Sequence, residues 1–97
     1  MPEMRFLVRW PDESLMACYS PSLVIHDYFE VGRAYPIADF VERSRTALTI
    51  ASQRVEEKHG FPCSNARAQL AEITSTAARF VDGPDLFVKV EAFEPPT

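Results

Sequence analysis

One stretch constrains this chain more than any other: Tyr35 to Gly60, YPIADFVERSRTALTIASQRVEEKHG. Ile37, Phe40, Val41, Ser44, Ala47, Leu48, Ala51 and Val55 recur at three- and four-residue steps, which places them on one face of a helix. Glu42, Arg43, Arg45, Gln53, Glu56 and Glu57 fall on the opposite face. Pro36 suits the first helical turn, where its missing N–H is not needed and its φ is already helical. Asp39 and Glu42 lie near the positive end of the helix dipole; Lys58 and His59 lie in the last turn, and Gly60 follows as the C-terminal cap. The middle of the apolar face is small, with Ser44, Ala47 and Ala51, so a second element is expected to cross there.

The segments around this helix read as strands and shorter helices. Met4, Phe6, Val8 and Trp10 alternate with Arg5, Leu7 and Arg9, the pattern of a half-buried strand. Pro11-Asp12-Glu13-Ser14 has turn chemistry. Leu15 to Tyr19 then returns as a hairpin strand, with Leu15, Ala17 and Tyr19 inward and Met16 and Cys18 outward. Ser20 reads as the cap of a short helix that has Pro21 in its first position and runs to about Phe29. Glu30 to Ala34 is a connector. After Phe61-Pro62, Ser64 reads as the cap of a second helix, whose Ala66, Leu70, Ile73, Ala77 and Phe80 share a face. The short connector makes it antiparallel to the first. Asp82-Gly83-Pro84 is a turn. Leu86 to Phe93 alternates again, with Leu86, Val88, Val90 and Ala92 on one side and Phe87, Lys89, Glu91 and Phe93 on the other. Residues 94–97 read as a poorly ordered tail.

These elements predict an α+β fold: a small three-stranded, mainly antiparallel sheet, with one short and two longer helices packed on one face. The last strand lies most simply antiparallel to the first, although the spacing also admits a parallel neighbour. The 97 residues suffice for a single domain, 1–97, with one core. A net charge of −4 argues against nucleic acid, because neutralising phosphates takes a basic surface. No apolar run reaches the ~20 residues of a membrane span, and the N-terminus lacks the apolar core of a signal peptide. The expected compartment is therefore the cytoplasm, where Cys18 and Cys63 stay reduced.

Few residues carry a chemical signal. Two cysteines and two histidines are zinc-ligand types, but only His59 and Cys63 are close in sequence and no C-x2-C or H-x3-H pair exists, so neither a metal nor another cofactor is expected. Cys63 precedes Ser64 at a helix start, with His59 one turn earlier, the outline of an activated thiol. The plainer reading makes Cys63 a small buried hydrophobe. Ser20 and Ser22 can offer an anion the N–H groups of a helix start, or simply cap it. Tyr19, His26 and Arg33 are polar candidates for holding a small metabolite. Leu7, Met16, Phe87 and Phe93, on the uncovered side of the sheet, are candidates for a protein interface; long Arg and Lys stems lying over them would be the alternative. Arg5 and Arg9 face Lys89 and Glu91 as potential cross-strand ion pairs.

The stretches RFLVRWPD, CYSPS, YPIADFVERSRTALTIASQRVEEKHGFPCSNARAQLAEI and VKVEAF together resemble the bacterial nitrogen starvation response proteins encoded in nitrilase-associated gene clusters. The resemblance covers nearly the whole chain. It departs at WPDES, where Glu13 stands at a position at which Gly is expected after Asp12, and this leaves the turn type open. What it implies is an accessory or regulatory role in nitrile-related nitrogen assimilation; the small size, the missing catalytic motifs and the apolar outer face point to action as a homodimer or with a protein partner from the same cluster. It brings no assigned catalytic or binding residues. A thiol enzyme or carrier using Cys63 with His59 and a small-metabolite sensor are the alternatives.

Overall fold

The computed structural model describes residues 3–61, 63–80 and 86–94. Strand β1 (Met4–Arg9) and strand β2 (Leu15–Ser20) form a hairpin, and a 3-10 turn follows at Leu23–Asp27. Strand β3 (Ala34–Pro36) leads into helix α1 (Ile37–His59), then helix α2 (Ser64–Ala77) and strand β4 (Phe87–Glu94). The strand order is β2-β1-β4-β3 and every neighbouring pair is antiparallel. The α+β class stands, with the last strand antiparallel to the first. Two counts are corrected among the described residues: the sheet has four strands rather than three, and the short helix is a 3-10 turn, which leaves two α-helices. The turn read at Asp82-Gly83-Pro84, residue Pro62 and residues 95–97 lie outside the described residues. Glu94, read as part of the tail, closes β4.

The fourth strand comes from the segment read as connector and helix start. Gly32 takes φ 87°, and its N–H donates to the Val90 carbonyl at 2.7 Å. Val90 N–H in turn donates to the Arg33 carbonyl at 3.2 Å. Pro36 disfavours a helical conformation at Tyr35, which therefore stays extended and pairs with Val88. Pro36 itself, at φ −54° and ψ 145°, is the residue before the helix rather than its first turn. It closes an edge strand, where a missing N–H costs no ladder bond.

The face assignments depend on two local irregularities. β1 buries Met4, Phe6 and Val8, as its alternation predicts. β2 is inverted from expectation: Phe6 faces Cys18 and Val8 faces Met16, so Met16, Cys18 and Ser20 point inward while Leu15, Ala17 and Tyr19 point out. The hairpin loop has three residues, not four. Trp10 N–H donates to the Ser14 carbonyl and Glu13 N–H to the Trp10 carbonyl, both at 2.9 Å, and Glu13 sits at φ 72°. This is a type I turn followed by a left-handed residue. Because strand side chains repeat every two residues, one residue fewer in the loop turns the whole strand over. In β4, Val8 faces Val90 but Leu7 faces Ala92, which leaves Glu91 as a bulge. Past it the parity reverses: Ala92 turns outward, and Phe93, opposite Phe6, packs against the core.

Both helices cover the inner face of the sheet. α1 lies against the 3-10 turn, β3 and β4, and α2 lies against β2 and α1. α1 buries Phe40, Ser44, Ala47, Leu48, Ala51 and Ser52; of the predicted stripe Ile37, Val41 and Val55 are only half-buried, and Ser52 is added. Gly60, at φ 87°, caps α1 through its N–H to the Glu56 carbonyl. Cys63, not Ser64, is the residue before α2. Aromatic rings fill the centre: Trp10 stacks on Phe80 and meets Phe40 edge-on, and Phe29 touches Phe6, Tyr35 and Phe40. The cap of the 3-10 turn is Ser22 rather than Ser20; its Oγ accepts from Val24 N–H.

Candidate functional site

With both helices on one side, no element among the described residues covers the other side of the sheet. Its central row runs Ala17, Leu7, Ala92 across β2, β1 and β4. Leu15 and Phe87 stand on the same side, 53% and 45% exposed. Arg9 crosses the face: its Nε donates to Glu91 Oε2 at 2.6 Å, and its Nη1 reaches the Glu13 carboxylate at 3.3 Å. The hydrogen bond from Arg9 holds the Glu91 carboxyl below its ordinary pKa, and the same bond raises Arg9. Lys89 approaches Glu91 at 3.9 Å. Of the four residues read as an interface, Leu7 and Phe87 lie on this face. Met16 and Phe93 do not, because the loop length and the bulge turn them inward. Leu15, Ala17 and Ala92 take their place, and no periodicity in the sequence could have shown it.

A second polar region lies where β2 meets α2. The backbone N–H of Tyr19, at the sheet edge, donates to Gln69 Oε1 at 2.9 Å, and its hydroxyl donates to Glu3 Oε2 at 3.2 Å. Burial, helped by Glu3 and the nearby Cys63 thiol, pushes Tyr19 up to about 12. Cys63 is half-buried and its N–H donates to Ser52 Oγ at 3.1 Å. His59 is exposed at the end of α1, and no hydrogen bond joins it to Cys63 among the described residues. Cys18 is buried, which pushes its thiol up, with Glu72 adding to the effect.

The third region is a hollow of about 100 Å³ between the 3-10 turn, the connector and α1, lined mainly by polar groups. His26 and Arg33, both read as ligand candidates, meet here, together with Arg43, which the sequence places on the solvent face of α1. Arg33 and Arg43 each hold a guanidinium group over the Tyr35 ring, at 5.2 Å and 5.0 Å from its centre. The remaining candidates lie elsewhere. Tyr19 belongs to the second region. Ser20 Oγ donates to the Ser22 carbonyl at 2.7 Å, and Ser22 Oγ accepts from Val24 N–H and from Arg54 Nη1. These buried hydroxyls thus serve the turn.

Among the described residues no group of three or more His, Cys, Asp or Glu side chains could hold a metal ion, and no helix is long and apolar enough to cross a membrane. Compared with known proteins, residues 5–93 match the family model described as nitrogen starvation-induced protein NitG. No curated protein and no solved structure matches the chain.

Proposed function

The chain belongs to the family of nitrogen starvation-induced protein NitG, and on that premise we propose that it is a small cytoplasmic accessory or regulatory protein acting by protein–protein association. The setting we propose is nitrile-related nitrogen assimilation, which rests on the resemblance to proteins of nitrilase-associated gene clusters. One observation carries the association: the open sheet face, where Leu7, Leu15, Ala17, Phe87 and Ala92 stand together with both helices on the other side. An apolar patch rimmed by charges is the usual form of a partner surface. The partner is a second copy of the chain or a protein encoded with it.

Size decides the kind of contact. The two six-residue strands span about 20 Å each, and the four strands side by side about 15–20 Å, so the face projects on the order of 300–400 Å². A standard stable interface buries about 800 Å² from each partner. The sheet face alone therefore suits a reversible, regulatory contact better than an obligate dimer. The Arg9–Glu91 pair on this face adds orientation more than affinity.

Sedimentation over a concentration series, with co-purification from nitrogen-starved cells, tests this. Leu7→Asp and Phe87→Asp are expected to weaken self-association or partner capture without unfolding the protein. If both variants behave as the parent in both assays, the reading fails. The thiol alternative makes a different forecast: Cys63 alkylates faster than glutathione near neutral pH, and His59→Ala slows it.

A further inference from the structure

The hollow beside the 3-10 turn holds more polar chemistry than the fold requires, and it is independent of the open sheet face. Arg43 is fixed from two sides: its Nε donates to Asp39 Oδ2 at 2.9 Å and its Nη1 to the Tyr28 carbonyl at 2.8 Å. A guanidinium has five N–H donors, so more than half remain available. Among the described residues the one ion pair of Arg33 is a 3.9 Å contact with Glu30, and its side chain is 56% exposed. The two guanidinium groups are set by one ring, Tyr35, whose hydroxyl accepts the Glu30 N–H at 2.8 Å. His26 lines the same hollow, stacked on Phe93 at 4.5 Å, and its buried Nε2 has no hydrogen-bond partner among the described residues. Buried polar atoms without a partner are uncommon and call for an explanation. The carboxylates of Asp27 and Glu30 complete the lining.

Two cations and two carboxylates around one small space do not select a simple anion or a simple cation. They match a molecule that carries both charges. Size narrows the class. A cavity of ~150 Å³ accommodates benzene, with its six heavy atoms, so about 100 Å³ encloses roughly four, and the fifth heavy atom of the smallest amino acid reaches the solvent side, where Arg33 is exposed. We propose that this hollow is a binding site for a small zwitterionic α-amino acid. Its carboxylate lies toward Arg33 and Arg43, its ammonium toward Asp27 and Glu30, and any side chain extends to solvent.

The test is an NMR titration of the full isotope-labelled chain with glycine, compared with acetate and methylammonium, which each carry half of its charge. Glycine is expected to shift the amide signals of His26, Gly32 and Arg33 saturably, with each half-ligand at least about tenfold weaker, a difference of ~1.4 kcal/mol. Arg33→Gln and Asp27→Asn each remove an exposed group, so the rest of the spectrum should hold while glycine binding weakens at least about tenfold. Saturable binding of acetate as strong as that of glycine overturns the zwitterion assignment. No saturable shift with either glycine or alanine overturns the site, as does unchanged glycine binding in both variants.

Discussion

The two faces of the sheet are built from alternate residues of the same strands, yet they have opposite tasks. The inner face holds Phe6, Val8, Cys18, Val88 and Val90, all fully buried, beneath two helices. The outer face holds Leu7, Ala17, Phe87 and Ala92 among charged side chains, with no element of the described chain lying over it. Apolar side chains therefore have two consequences. On the inner face it stabilises the fold, because the area is removed from water on folding. On the outer face that area stays wet until a partner removes it.

The sharpest way to break this contrast is to truncate one phenylalanine from each side. Phe40→Ala, beneath the inner face at 0% exposure, is expected to cost ~3–5 kcal/mol in chemical denaturation. Phe87→Ala, on the outer face, should cost under ~1 kcal/mol. Equal losses would mean that the outer face is as stabilising as the core. Enlargement makes the next comparison. Ala47→Leu or Ala51→Leu, where α1 is closely packed, should overpack the interior and cost ~1–3 kcal/mol. Ala17→Leu on the outer face should stay within ~0.5 kcal/mol and strengthen association.

A smaller effect comes from the loop that decides which side of β2 faces the core. Glu13 adopts φ 72° and sits in an exposed ion pair with Arg9. Glycine removes the left-handed strain but adds freedom to the unfolded chain, so Glu13→Gly should stabilise by a net ~0.5–1 kcal/mol. A melting temperature that falls would mean that the ion pair outweighs the strain.

The smallest effect expected is on acid stability. Glu91 is depressed chiefly by the Arg9 hydrogen bond, and Asp12 chiefly by the Ser14 hydroxyl. A depressed carboxyl contributes stability that is present above its unfolded value, 4.5 for Glu91 and 3.8 for Asp12. That stability is lost as the pH falls through the lower folded values. Urea midpoints should drop across that window, and Glu91→Gln should flatten the drop. Tyr19 acts at the other end of the scale. Raised to about 12 from 10.0, it favours the fold below 10 and loses that contribution as the pH climbs through its folded value. Tyr19→Phe should remove this alkaline step.

The sites were legible in unequal measure. Leu7 and Phe87 were readable as an outer face because each sits in a regular alternation next to unambiguous core residues. Met16 and Phe93 were misassigned: one residue in the hairpin loop and the bulge at Glu91 each invert a strand, and neither alters local composition. His26 and Arg33 were readable as polar candidates, but their meeting with Arg43 was not. It depends on how the connector wraps Tyr35 and on the Asp39–Arg43 pair, which by itself looks like an ordinary solvent-facing helix contact. His59 and Cys63 are near in sequence, but among the described residues no hydrogen bond joins them; His59 is exposed at the end of α1, and the Cys63 N–H goes to Ser52 Oγ.

What the sequence determined by itself is what repeats locally: the span and buried stripe of α1, its glycine cap, the face of β1 and the α+β class. Each follows from a period of 3.6 or 2 that a short window contains. Only the tertiary structure decided the fourth strand, the sides taken by β2 and the end of β4, and the hollow shared by the connector and α1. These depend on register, and register is set where a turn residue, a bulge or a proline brings distant segments into pairing.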